Sequence, residues 1–406
     1  IKLLPLFLGW MVILSFWYYL RNMALPANSQ LSEMAFNGFY ENVNGMLGYF
    51  GKIFFPFNLS AIPIPKDTSL FYGVTALALA VLLFTVKGVN NRPVFFLGLV
   101  WYLLFLLPYI VNSSGYANFL EQRLYLPMAG LMVMLGQSKA WDNLDLRKSS
   151  QRWIFTGLII FLSILSLAHN RKYQNGVIFW EYAVRSSPHL FYAHDMQGKV
   201  RYQNGKFVSA LSSFRESARL KPDYHHAYNN MGMALYSLDN VSEAEMHFKQ
   251  ALALKPDYAD AGSNLGILYA GQAQMDSALK YQIQAFHLAP DDESYAINAG
   301  RLYCQSGIPD SAITVYLEAL KRQPESFTIL KELGTLYFKG GRAAEAKATL
   351  TKAYLVSSDD PIVANYLALL CFREKDYAGA VKYYDQAVAL GQQADPRILE
   401  ILKPYR

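Results

Sequence analysis

The feature that most constrains this chain is a period. Gly198, Gly232, Gly266, Gly300 and Gly334 recur every 34 residues, with Ala368 in the sixth place. Ala210, Ala244, Ala278, Ala312, Ala346 and Ala380 form a second series, and Ala218, Ala251, Ala285, Ala319, Ala353 and Ala387 a third, offset by one residue at its first member. Small residues at fixed places let two helices approach closely, and Pro222, Pro256, Pro290 and Pro324 stop the second helix of their units because proline cannot continue a helix. Self-similarity at this spacing means a stack of helix pairs, each burying an apolar face that it could not cover alone.

Residues 191–394 hold six full units of this kind, and the register resembles that of the tetratricopeptide helix pair. Residues 171–190 read as a partial unit, since Gly176, Trp180, Ala183 and Pro188 fit the second-helix pattern, and residues 395–406 read as a capping helix over the last apolar face. In such α-solenoids the first helix of each unit lines the inner face. Asn230, Asn264 and Asn298 recur there at the repeat interval, and an asparagine carries both a donor and an acceptor for the backbone of an extended peptide. The row resembles the asparagine ladder of the O-linked N-acetylglucosamine transferase solenoid; packing within the helix pair is the alternative. The row stops at Met196, Glu332 and Tyr366 in the other units.

Composition divides the chain. Apolar residues concentrate before His169 and regular charge alternation lies after it, so the net charge of +6 describes neither half. Five apolar segments, Leu3–Leu20, Ser69–Val86, Val94–Val111, Leu124–Gly136 and Trp153–Ala168, suggest a membrane domain over residues 1–170. Basic short connections, Lys87–Arg92 and Lys139–Arg152, would face the cytoplasm, placing the repeats on the periplasmic or lumenal side of an integral membrane protein. The proline-broken stretch 46–65 suits an interfacial or re-entrant segment beside an outer cavity, and Glu33, Glu41 and Asp67 share that loop. The last span is expected to run straight into the repeats, with no flexible linker.

Several chemistries find no pattern. No basic block interleaved with exposed aromatics points to nucleic acid, and no phosphate-cradling glycine loop or nucleophile elbow occurs. Cys304 and Cys371 occupy nearly the same repeat position and read as core thiols, while the histidines, including His225-His226 and His194, lack metal-ligand spacing.

The sequences Trp101-Tyr102-Leu103-Leu104-Phe105-Leu106-Leu107-Pro108 and Glu121-Gln122-Arg123-Leu124-Tyr125-Leu126-Pro127, with Phe55-Pro56-Phe57-Asn58-Leu59-Ser60, resemble the transmembrane and tetratricopeptide O-mannosyltransferases, which are GT-C glycosyltransferases. That family shows Glu-Arg-x-Leu-Tyr-Leu-Pro, whereas Gln122 here separates Glu from Arg. The resemblance implies a sugar donor on a polyprenyl phosphate, bound by Arg123, Glu121 and Tyr125, and a Ser/Thr acceptor presented by the solenoid. Arg123 is suited to phosphate through its permanent charge and paired donors. The catalytic carboxylate would lie upstream of Ile1 in a chain expected to be N-terminally truncated. The alternative is a membrane-anchored repeat scaffold, or a subunit of an envelope complex, without chemistry of its own. The expected fold is therefore all-α: a multi-span helical membrane domain followed by an α-solenoid.

Overall fold

A computed structural model of the chain describes residues 70–111, 125–142, 147–170, 175–393 and 395–405. They are helical almost throughout. Two compact units divide at Val200 and Arg201.

In the first unit, α1 (Leu70–Lys87), α2 (Arg92–Val111), α3 (Tyr125–Gly136) and α4 (Ser149–Asn170) are followed by α5 (Gly176–Ser186) and the start of α6 (Phe191–Gln203). Helices α2 and α3 cross backbone to backbone at two glycines. A Cβ on Gly98 would sit 2.6 Å from the Gly130 carbonyl oxygen, and one on Gly130 would sit 2.7 Å from the Tyr102 nitrogen. Tyr102, Leu131 and Met134 are buried around this crossing.

The expected multi-span membrane domain is corrected here. Among the described residues no helix is long and apolar enough to cross a membrane. A span needs about 20 apolar residues, or roughly 30 Å of helix. Helix α3 has 12 residues. Helix α1 has 18 and closes on Lys87; α2 opens on Arg92-Pro93 and meets Pro108; α4 spends its first turn on Ser149-Ser150-Gln151-Arg152. The first apolar segment, the proline-broken stretch and the join at residues 171–174 lie outside the described residues.

The second unit is the repeat array. After the end of α6 come α7 (Phe207–Leu220), α8 (His225–Ser237), α9 (Val241–Leu254), α10 (Ala259–Gly271), α11 (Met275–Leu288), α12 (Glu293–Gln305) and α13 (Pro309–Arg322). It continues with α14 (Phe327–Lys339), α15 (Ala343–Val356), α16 (Pro361–Arg373), α17 (Tyr377–Ala389) and α18 (Pro396–Leu402). Side-chain caps start many of these helices: Asn240 accepts from the Glu243 N–H, Ser326 from Ile329, Asp360 from Ile362 and Val363, and Asp376 from Gly379.

From α8 onward, one side chain of the second helix of a pair seats on the small residue of the first, sixteen positions earlier. Phe248, Tyr316 and Leu350 press on Gly232, Gly300 and Gly334, and the gap left for a Cβ is 2.6 Å at both Gly232 and Gly334. Tyr384 takes the same place beside Ala368. Gln282 is the exception: fully buried beside Gly266, it accepts from Ser263 Oγ at 3.0 Å and donates to the Ser263 carbonyl at 3.1 Å, which satisfies an amide that burial would otherwise penalise. The turn between the two helices puts one residue per unit in the left-handed region: Gly205, Asp239, Ala273, Gly307, Gly341 and Lys375, spaced by the repeat period. Glycine suits that conformation and the other three pay a steric cost of about 1–2 kcal/mol each.

Candidate functional site: the inner face of the repeats

The first helices of successive units touch one another, α8 on α10, α12 on α14 and α14 on α16, which sets them on the tighter, inner side of the stack. The polar residues of this face are tied across units at nearly the repeat period. Asn264 Nδ2 donates to Asn229 Oδ1 at 2.9 Å. Tyr295 donates to Asp260. Arg301 meets Glu332 at 2.6 Å, and Lys331 meets Asp360 at 2.8 Å. Tyr202 and Ser237 lie 3.0 Å apart.

The three asparagines singled out by spacing stand on α8, α10 and α12, each two residues before the small-residue contact. Asn230 is buried at 7% exposure, and Asn264 and Asn298 are half-buried. Asn229, which spacing missed, is the partner that orients Asn264; the signal that finds it is the offset of one repeat plus one. Exposed apolar residues on the first helices include Tyr236 on α8, Ile267 on α10, and Ile362 and Phe372 on α16.

Arg123 and Glu121 lie outside the described residues. Tyr125 opens α3, and its side chain is likewise outside them. Helices α1 to α3 line an apolar cavity of about 430 Å³, bordered by Leu77, Phe84, Phe95, Leu99, Tyr102 and Met134. Burial pushes the Tyr102 phenol far above its usual range, so it offers no base. Among the described residues no group of three or more His, Cys, Asp or Glu side chains could hold a metal ion.

Histidines gather at the junction of two repeats. The His225 and His226 rings are 4.2 Å apart, and His226 Nδ1 lies 2.8 Å from the Tyr258 hydroxyl. His225 Nε2 and His247 Nδ1 are buried with no hydrogen bond among the described residues. Burial, seconded by Lys255, holds His225 below its ordinary value, and burial does the same to His247. A depressed histidine binds its proton more readily unfolded than folded, so the stability it supports is complete above about pH 6.5 and falls as the pH drops through the folded value. The urea midpoint of the array should therefore decrease between neutral and mildly acidic pH, and His225→Gln with His247→Gln should flatten the decrease. A pH profile that the double substitution leaves unchanged would remove these histidines from the effect.

Family profiles described as tetratricopeptide repeat match residues 226–258, 297–354 and 331–395. These repeats are tetratricopeptide repeats. Solved structures similar to this chain include pilF of Pseudomonas aeruginosa, at 16% identity over 53% of this chain and 97% of that one, with a TM-score of 0.44. A tetratricopeptide repeat protein from Parabacteroides merdae gives 17% identity, 55% and 88% coverage and a TM-score of 0.38. YrrB, described as a TPR protein with an unusual peptide-binding site, gives 18%, 45% and 95%, and 0.35. A comparison with curated proteins finds no match.

Proposed function

We propose that the tetratricopeptide array is a protein-binding scaffold that holds an extended peptide segment along its first helices. The observation that supports this most is the succession of linked first helices, α8 on α10, α12 on α14 and α14 on α16, with Tyr295 bonded to Asp260 between α10 and α12, whose surface mixes exposed apolar points such as Tyr236, Ile267 and Phe372 with the half-buried amides of Asn264 and Asn298. An extended peptide presents unpaired N–H and C=O groups along its length, and amide side chains answer both, while the apolar points take its side chains. Asn264 is already oriented by Asn229, which leaves its carbonyl oxygen as the acceptor for a peptide N–H.

The reading as a polyprenyl-phosphate glycosyltransferase depended on the membrane domain corrected above. The scaffold reading needs neither that domain nor Glu121 and Arg123.

The test uses the full chain and peptides selected from a phage-displayed random library, measured by fluorescence anisotropy. Ile267 is 42% exposed, so Ile267→Asp should weaken binding about tenfold while leaving the thermal melt in place. Replacing Asn230, Asn264 and Asn298 together by alanine should also weaken it; unchanged affinity would reduce them to packing residues. Failure to enrich any peptide would sink the scaffold reading.

A further inference from the structure

One diagonal contact recurs along the first helices. The twelfth residue of a first helix meets the thirteenth of the next, 35 positions on. At the start of the array this contact is neutral: Tyr202 and Ser237 join their hydroxyls at 3.0 Å, and the Tyr236 hydroxyl lies 2.9 Å from the place a Cβ on Gly271 would take. Farther on its chemistry changes. Lys339 stands at the corresponding place 35 positions after Cys304, which also feels Glu332, and the Arg373 guanidinium lies 5.8 Å from the centre of the Phe338 ring. Phe338 packs on Tyr366 at 4.6 Å between ring centres.

The charge balance of this end is one-sided. Arg301 is neutralised by Glu332, Lys331 by Asp360, and Lys347 by Glu374. Lys339 and Arg373 are exposed and form no ion pair among the described residues. A helix macrodipole favours a cation in a last turn, where both stand. It gives no reason for an aromatic residue to precede each of them, as Phe338 and Phe372 do, with Phe372 37% exposed. A cation held beside an aromatic ring keeps its charge while presenting an apolar surface next to it.

Resting on the peptide-binding reading above, we infer that the inner face is polar in direction. Its α14–α16 end receives an acidic segment carrying an aromatic side chain, and its α8–α10 end receives uncharged chain. Carboxylates on the peptide meet Lys339 and Arg373, and its aromatic side chain lies against Phe338 and Phe372.

The experiment compares two labelled peptides of equal length on the full chain, one with an Asp-Asp-Phe-Asp core and one with Asn-Asn-Phe-Asn, by anisotropy at low and high salt. The acidic peptide should bind about tenfold more tightly at low salt, and Lys339→Gln with Arg373→Gln should erase that advantage without shifting the thermal melt. Phe338 contributes to the core, so Phe372→Ala is the variant for the aromatic contact, and it should weaken both peptides alike. Equal binding of both peptides, or an advantage that survives the double substitution, overturns the acidic assignment alone. Binding of neither peptide overturns it together with the peptide-binding reading.

Discussion

Phe248→Ala should destabilise the array by about 3–5 kcal/mol, the usual cost of removing a fully buried phenylalanine, measured as a lower urea midpoint by circular dichroism. The ring is 2% exposed and lies flush against Gly232, so its removal leaves a space that neither helix backbone can easily close. Because each unit touches only its neighbours, the loss should be concentrated near α8 to α10, and hydrogen exchange should speed up there before it does in α14 to α17. Uniform acceleration along the array would contradict a nearest-neighbour stack.

The second large effect has the opposite origin. Gly300→Val should cost about 2–3 kcal/mol through overpacking, since even a Cβ at this position would overlap the Tyr316 ring. Tyr316 is 1% exposed and has nowhere to swing. Made in a Tyr316→Ala background, the same Gly300→Val change should cost much less, because the space it needs has been vacated. Additive losses in the double variant would show that the clash is not what destabilises it.

The glycine and alanine series were legible because helix contact allows few residue types at a shared place, so the period survives in the letters. The left-handed turn was less legible. Gly205, Gly307 and Gly341 keep its register, but Asp239, Ala273 and Lys375 occupy the same backbone conformation and break the pattern at half its members. Gln282 was hidden for a related reason. Polarity alone suggests an exposed residue there, yet its amide is satisfied by the side chain and carbonyl of Ser263, a partner nineteen positions away. The apolar N-terminal segments misled in a simpler way. Hydropathy registers how oily a stretch is, whereas crossing a membrane also needs length without interruption, and α3 stops at 12 residues. Of the candidate site, the asparagine row could be read from period, but which amides are already engaged could not, because Asn229 sits outside that row.

The ties between units also give the array an order that cannot be permuted. No two junctions use the same pairs: tyrosine with serine at the first, histidine with tyrosine and asparagine with asparagine at the second, then tyrosine with aspartate, arginine with glutamate, and lysine with aspartate. Excising residues 225–258, one whole repeat, would preserve the backbone period but bring Gly271 to the place of Ser237, leaving the Tyr202 hydroxyl facing a residue without a side chain. The repeats share one shape and carry individual addresses, so a shuffled array of these same units would stack with mismatched neighbours.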